Sequence, residues 1–169
     1  DQRHARYDDV FMLAEYVGPL RGVEFNVEGN PIEKFLEVVL EAKPDQCTLV
    51  PDEPGQLTSD HGWDLSSDHP RLAETIRTLK EAGIRVSIFL DPDCRMVERV
   101  PSFAPDRIEL YTEAYAKAYG TDDEFRTLDN YITAAGSAQQ KGVGVNAGHD
   151  LNLDNLLTFL RAVPGVLEV

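Results

Sequence analysis

Apolar residues recur along this chain with two alternating periods. Val10, Leu13 and Val17 follow Asp8-Asp9 at i, i+3 and i+7, which predicts a helix closed by Gly18-Pro19. Val23 to Glu28 alternates instead, predicting a strand with Glu24, Asn26 and Glu28 on one face. Asn30-Pro31 predicts a helix with an Asn cap, carrying Phe35, Val38 and Val39 and closed by Lys43-Pro44. Cys47 to Pro51 is a compact buried strand. A polar loop follows from Asp52 to about Asp68, long for a strand-to-helix connection and therefore a candidate functional loop.

Leu72, Ile76 and Leu79 mark the next helix, and Ile84 to Leu90 the next strand. Cys94 to Pro105 is short and weakly helical, and Arg107 to Tyr111 is a strand. Thr121-Asp-Asp-Glu124 predicts a capping box opening a helix through Phe125, Leu128 and Ile132. A strand from Val143, a helix on Leu153, Leu156, Leu157 and Leu160, and a strand at Val166 to Val169 complete the pattern.

Strict β/α alternation means parallel strands joined by right-handed crossovers, an α/β fold. Gly83, Gly142 and Gly165 sit where helix ends feed strands. An open doubly wound sheet and a (β/α)8 barrel both fit the alternation. No G-x-G-x-x-G follows any strand, and polar or acidic residues recur at strand C-ends (Glu28, Asp52, Asp91, Glu109, His149), which favours the barrel. Six strand segments do not close one. The expectation is a single (β/α)8 TIM-barrel domain over residues 1–169, present as an incomplete segment of a longer protein.

Composition changes this picture little, with 42% hydrophobic and 27% charged residues. The formal charge of −14 excludes nucleic acid and an anionic membrane as natural partners, though a local cluster of donors can still take a small phosphorylated substrate. Arg3 and His4 are candidates for such a cluster. Cys47 and Cys94 have no metal-ligand spacing and read as reduced structural thiols of a cytoplasmic protein. Asp91 and Asp93 have no third metal ligand at fitting spacing. His61, His69 and Trp63 read as loop or packing residues.

The stretch richest in candidate chemistry is Val143 to Asn155. A short strand there passes through Gly148, presents His149 and Asp150, and enters a helix. Val145-Asn-Ala-Gly-His149-Asp-Leu-Asn, Asn26-Val-Glu28, Leu49-Val-Pro51 followed by Gln56-Leu-Thr58, and Asp1-Gln-Arg-His4 resemble, in that order, the pyridoxine 5′-phosphate synthase family. The similarity extends over essentially the whole chain.

That resemblance implies a (β/α)8 barrel of vitamin B6 biosynthesis with no organic cofactor and no catalytic metal. It implies a transferase-class enzyme condensing 1-deoxy-D-xylulose 5-phosphate with 3-amino-2-oxopropyl phosphate, releasing inorganic phosphate and water, and a homo-oligomer, an octamer in the family. It implies that Glu28 is a general acid/base, that His149 is a proton donor and that Glu109 stabilises charged intermediates. His4 and Thr58 would contact the deoxyxylulose phosphate. Asp150 stands where relatives often have glycine and would contact substrate. Gly29-Asn30 departs from the Met-Ala common after the glutamate. Relative to the family, the chain covers about strands 3–7 and the start of strand 8, and the segment alone is expected to be inactive.

The chemistry asks for such a set, because imine formation, enolisation, phosphate loss and dehydration each move a proton. A buried glutamate with a raised pKa, or a histidine, serves near neutrality. Two other readings remain: another sugar-phosphate aldolase or isomerase barrel, and a non-catalytic fragment that binds a phosphate metabolite.

Overall fold

The computed structural model describes residues 4–52, 55–56 and 58–169. Its six strands form one parallel sheet in chain order: β1 Asn26–Gly29, β2 Gln46–Leu49, β3 Arg85–Leu90, β4 Arg107–Tyr111, β5 Gly144–Gly148 and β6 Val166–Glu168. Between and before them lie α1 Tyr7–Val17, α2 Glu33–Ala42, α3 Pro70–Glu81, α4 Cys94–Val97, α5 Glu113–Ala118, α6 Glu124–Gln140 and α7 Leu156–Ala162. Among the described residues, no helix is long and apolar enough to cross a membrane.

Each β/α unit lays its strand beside the previous one, so the sheet advances one strand at a time, as in a barrel wall. It is also strongly curved. Gln46 Nε2 on β2 donates to Glu168 Oε2 on β6 at 3.0 Å. In a flat sheet with about 4.8 Å between strands, those two strands would be roughly 19 Å apart. The sheet is therefore an arc closing toward a barrel.

The register assigns the two faces different chemistry. Val27, Cys47 and Val86 are lateral partners, as are Leu49, Ile88, Ile108 and Val145. All are buried against the helices, with Val38, Val39, Leu72, Ile76, Leu79 and Tyr131. The concave face carries Asn26, Glu28, Gln46, Thr48, Arg107, Glu109 and Asn146 by alternation, and Glu168 joins them through an irregularity in the β5–β6 pairing. Toward the strand C-ends of that face, Val50, Phe89 and Tyr111 form a separate small apolar cluster.

Several local expectations shift. The strand predicted from Val23 joins the sheet only at Asn26, because its neighbour β2 begins at Gln46; Asp45 Oδ2 accepts from Phe25 N at 2.7 Å just outside the ladder. Asn30 does not cap α2, whose N-cap is Ile32. The Asn30 carbonyl instead accepts from Ile32 N at 2.7 Å in a turn that precedes the helix. The Thr121 capping box is displaced: Glu124 accepts from Gly120 N at 2.8 Å, and the Thr121 hydroxyl donates to Ala118 O at 2.7 Å.

The buried faces of the last two helices are also rotated from the predicted ones. Phe125 is 83% exposed, and α6 buries Leu128 and Tyr131 together with Ala134, Ala135 and Ala138, three small residues that let the helix lie close to its neighbours. In α7 the leucines at 157 and 160 face outward, and Leu153 lies exposed before the helix begins. Phe159 is the buried anchor, its ring 5.2 and 5.4 Å from those of Tyr115 and Tyr131. Gly83, Gly142 and Gly165 do adopt the positive φ that a helix end turning into a strand requires.

Candidate active site at the strand C-ends

A cavity of about 470 Å³ opens beside β1, walled by the C-ends of strands, α1 and the long loop after β2. His4, Glu28, Thr58 and His149 all line it, so four segments distant in sequence converge on one space. Asn26, Asn30, Asp52 and Ser59 add polar groups, while Val10, Leu13, Phe35 and Val38 supply an apolar side.

Asp52 is 4% exposed, and its Oδ2 accepts from Ser59 Oγ at 2.8 Å, which ties the returning part of the loop to the end of β2. The same loop is fastened further on. Trp63 Nε1 donates to Leu49 O at 2.9 Å, Trp63 N donates to Phe89 O at 2.9 Å, and Asp91 accepts from Gly62 N at 3.2 Å. A Cβ at Gly62 would collide with the Leu90–Asp91 backbone at 2.4 Å, so only glycine lets the loop lie this close. Trp63 is thus a packing residue. Asp93 accepts from Arg95 N at 2.8 Å at the start of α4, and Asp91 holds the loop, which gives both aspartates structural partners.

His149 sits on an unusual backbone, with φ of +90° at His149 and +59° at Asp150. Neither is glycine, and such conformations persist only where surroundings impose them. Here Thr112 N and Thr112 Oγ1 both donate to Gly148 O, at 2.9 and 2.7 Å, and Oγ1 also contacts the His149 carbonyl. Asn155, 2% exposed, donates from Nδ2 to Asp150 O at 3.1 Å and is itself held by Tyr115 OH on its carbonyl at 2.7 Å. The imidazole packs on the Tyr111 ring edge-on, centroids 4.8 Å apart. Its Nε2 is 3.2 Å from Thr58 Oγ1, and its Nδ1 is 2.7 Å from Asp150 Oδ2. Asp150 lies behind the histidine rather than on the cavity wall.

Glu109, at the middle of β4, lies deeper on the concave face. Burial pushes its carboxyl up to about 8, reinforced by the charges of Glu28 and Glu168 and only partly opposed by Thr48. Thr48 Oγ1 lies 3.3 Å from Asn26 Oδ1 and 3.4 Å from Glu109 Oε2. One hydroxyl proton cannot serve two acceptors. A neutral Glu109 resolves this by donating to Thr48 while Thr48 donates to Asn26. Glu109 also explains Gly148, since a Cβ there would come within 2.3 Å of Glu109 Oε1. Burial raises the pKa of Glu109, whereas Glu28 is exposed toward the cavity.

The sequence reading passes over Ser59, Thr112 and Asn155. Ser59 and Thr112 carry no pattern that marks them; Asn155 could have been found as the polar residue immediately ahead of α7.

Residues 1–169, the whole chain, match the family model described as pyridoxal phosphate biosynthesis protein PdxJ. The chain belongs to the PdxJ family. It is 47% identical to the pyridoxine 5′-phosphate synthase of Flavobacterium johnsoniae and 45% identical to that of Parabacteroides distasonis, each over 169 residues. Identity to the enzyme of Xanthomonas axonopodis pv. citri is 47% over 176 residues. In each case all of this chain aligns with 69% of the relative. The architecture also resembles a solved TIM barrel, a mutant tryptophan synthase α-subunit from Pyrococcus furiosus, with a TM-score of 0.59 at 12% identity. That match covers 94% of this chain and 60% of the other, and supports the barrel fold alone. As a PdxJ-family chain with six in-order parallel strands, it is a partial (β/α)8 barrel.

Proposed function

We propose that the protein to which this chain belongs is a pyridoxine 5′-phosphate synthase that condenses 1-deoxy-D-xylulose 5-phosphate with 3-amino-2-oxopropyl phosphate, releasing inorganic phosphate and water. The observation that carries this is the convergence of Glu28, His149, Thr58 and His4 on one cavity at the strand C-ends of a PdxJ-family chain. A cytoplasmic homo-oligomer is part of the proposal.

The groups divide the work by environment. Glu28 faces the cavity and is placed to take protons from substrate carbon or nitrogen. His149 turns Nε2 toward the same space and returns protons to leaving oxygens. Glu109 is neutral at rest. A cationic imine forming nearby favours its carboxylate, so it would lose its proton as positive charge develops, stabilising the intermediate it helped create. His4 and the Thr58 hydroxyl line the cavity and would contact the deoxyxylulose phosphate. Among the described residues, the cavity wall carries no lysine or arginine. Since the chain spans 69% of its relatives' length, further phosphate donors are expected from the remainder of the protein.

Incubating the full-length protein with both substrates and detecting pyridoxine 5′-phosphate tests the reading; no product would refute it. Glu28→Gln and His149→Asn should each lower kcat by about 10²–10⁴-fold with the fold retained. Unaltered rates in both variants would remove their assigned roles.

A further inference from the structure

We propose that Asp150 is a positioning residue that fixes the tautomer of His149, and that it acts through the imidazole rather than on substrate. The inference rests on the role given to His149 above. An ionised carboxylate can only accept hydrogen bonds, so at 2.7 Å from Asp150 Oδ2 the His149 Nδ1 must carry a proton. In the neutral ring, Nε2 is then the bare nitrogen, and it is Nε2 that lies on the cavity side, 3.2 Å from Thr58 Oγ1. The Thr58 hydroxyl can donate to it. When the ring takes up a proton, the carboxylate stabilises the imidazolium and the new N–H points where a leaving oxygen would lie.

Consecutive side chains rarely meet in this way. They do so here because φ is positive at both residues, which folds the Asp150 side chain back onto the ring that precedes it. The conformation is imposed from outside by Thr112 on the carbonyls of Gly148 and His149, and by buried Asn155 on the carbonyl of Asp150. Tyr111 closes one side of the imidazole, which limits ring rotation. Aspartate is among the few residues that accept φ near +60°, so position 150 can supply a carboxylate without the strain that a larger side chain would add. A direct role on an anionic substrate is disfavoured by like charge, and Asp150 does not line the cavity.

The test is imidazole ¹⁵N spectroscopy of the full-length protein, with the His149 signal assigned by its loss in His149→Asn. Wild type should show the Nδ1–H tautomer in the neutral ring. Asp150→Gly, which suits the positive φ and removes the carboxylate with its Cβ, should abolish that preference. Where turnover is measurable, kcat should fall about 10–100-fold in Asp150→Gly with KM little changed, as for other partners that orient a reactive histidine. Nε2–H in wild type, or a tautomer indifferent to Asp150→Gly, overturns the inference. So does a raised KM at unchanged kcat, the signature of a substrate contact. The spectroscopic arm needs no turnover, so it decides the inference even if the full-length protein makes no pyridoxine 5′-phosphate.

Discussion

Replacing Glu109 by glutamine removes a titrating group while keeping shape and hydrogen-bonding capacity, which makes its energetic consequence calculable. The carboxyl moves from an ordinary value of 4.5 to about 8 in the folded protein, because it is buried and faces Glu28 and Glu168. A raised folded-state pKa contributes stability that is fully present below the unfolded value and is lost as pH climbs through the folded one. Wild type should therefore lose stability relative to Glu109→Gln between about pH 4.5 and pH 8, at up to about 1.4 kcal/mol per pH unit. The cumulative difference is roughly 5 kcal/mol by pH 9, less whatever the site recovers by admitting water. Urea unfolding of both proteins at pH 5, 6, 7, 8 and 9 measures it directly, and titrations of groups not coupled to Glu109 cancel in the difference. Two profiles that run parallel across this range would show that Glu109 is already ionised in the native state. The neutral donor to Thr48 and the charge-responsive role built on it would both then be lost.

Two further predictions test the scaffold around the site. Gly148→Ala places a methyl within 2.3 Å of Glu109 Oε1, so the carboxyl must swing away; activity should fall far more than stability, which should drop by about 1–3 kcal/mol. An unaltered kcat in that variant would disconnect Glu109's placement from catalysis. In α7, Phe159→Ala should cost about 3–5 kcal/mol in denaturant unfolding, and Leu157→Ala within about 0.5 kcal/mol. Equal losses would contradict the assignment of Phe159 as the anchor.

Much of the fold was legible because strand and helix periods differ so sharply, and each helix end that feeds a strand through Gly83, Gly142 or Gly165 announces itself. Faces within helices were less legible. The leucines of α7 and Phe125 of α6 look like a core stripe, yet an aromatic cluster of Tyr115, Tyr131 and Phe159 fixes the helix rotation instead. Propensity and periodicity contain no term for such a long-range ring cluster. At the site, Glu28 and His149 were readable because strand C-ends on the concave side converge by topology. The contact of Asp150 with His149 was not, since it depends on a φ that sequence does not encode locally and that Thr112 and Asn155 impose from other elements. The neutral state of Glu109 likewise arises from its burial, reinforced by Glu28 and Glu168, which only curvature brings near.

The carboxylate of Glu168 accepts from Gln46, Arg107 and Asn146 at once, bracing strands two, four, five and six around a single side chain. A chain that emerges from the ribosome N-terminus first must complete nearly all of these residues before that brace exists. Until then the inner wall is a row of polar side chains with no common partner, and nothing ties β6 to β2 across the interior. The curvature of the inner wall is consequently set late in biogenesis, after the helices and outer core can already have formed. A nascent chain arrested before β6 should carry native helices around an unshaped catalytic face.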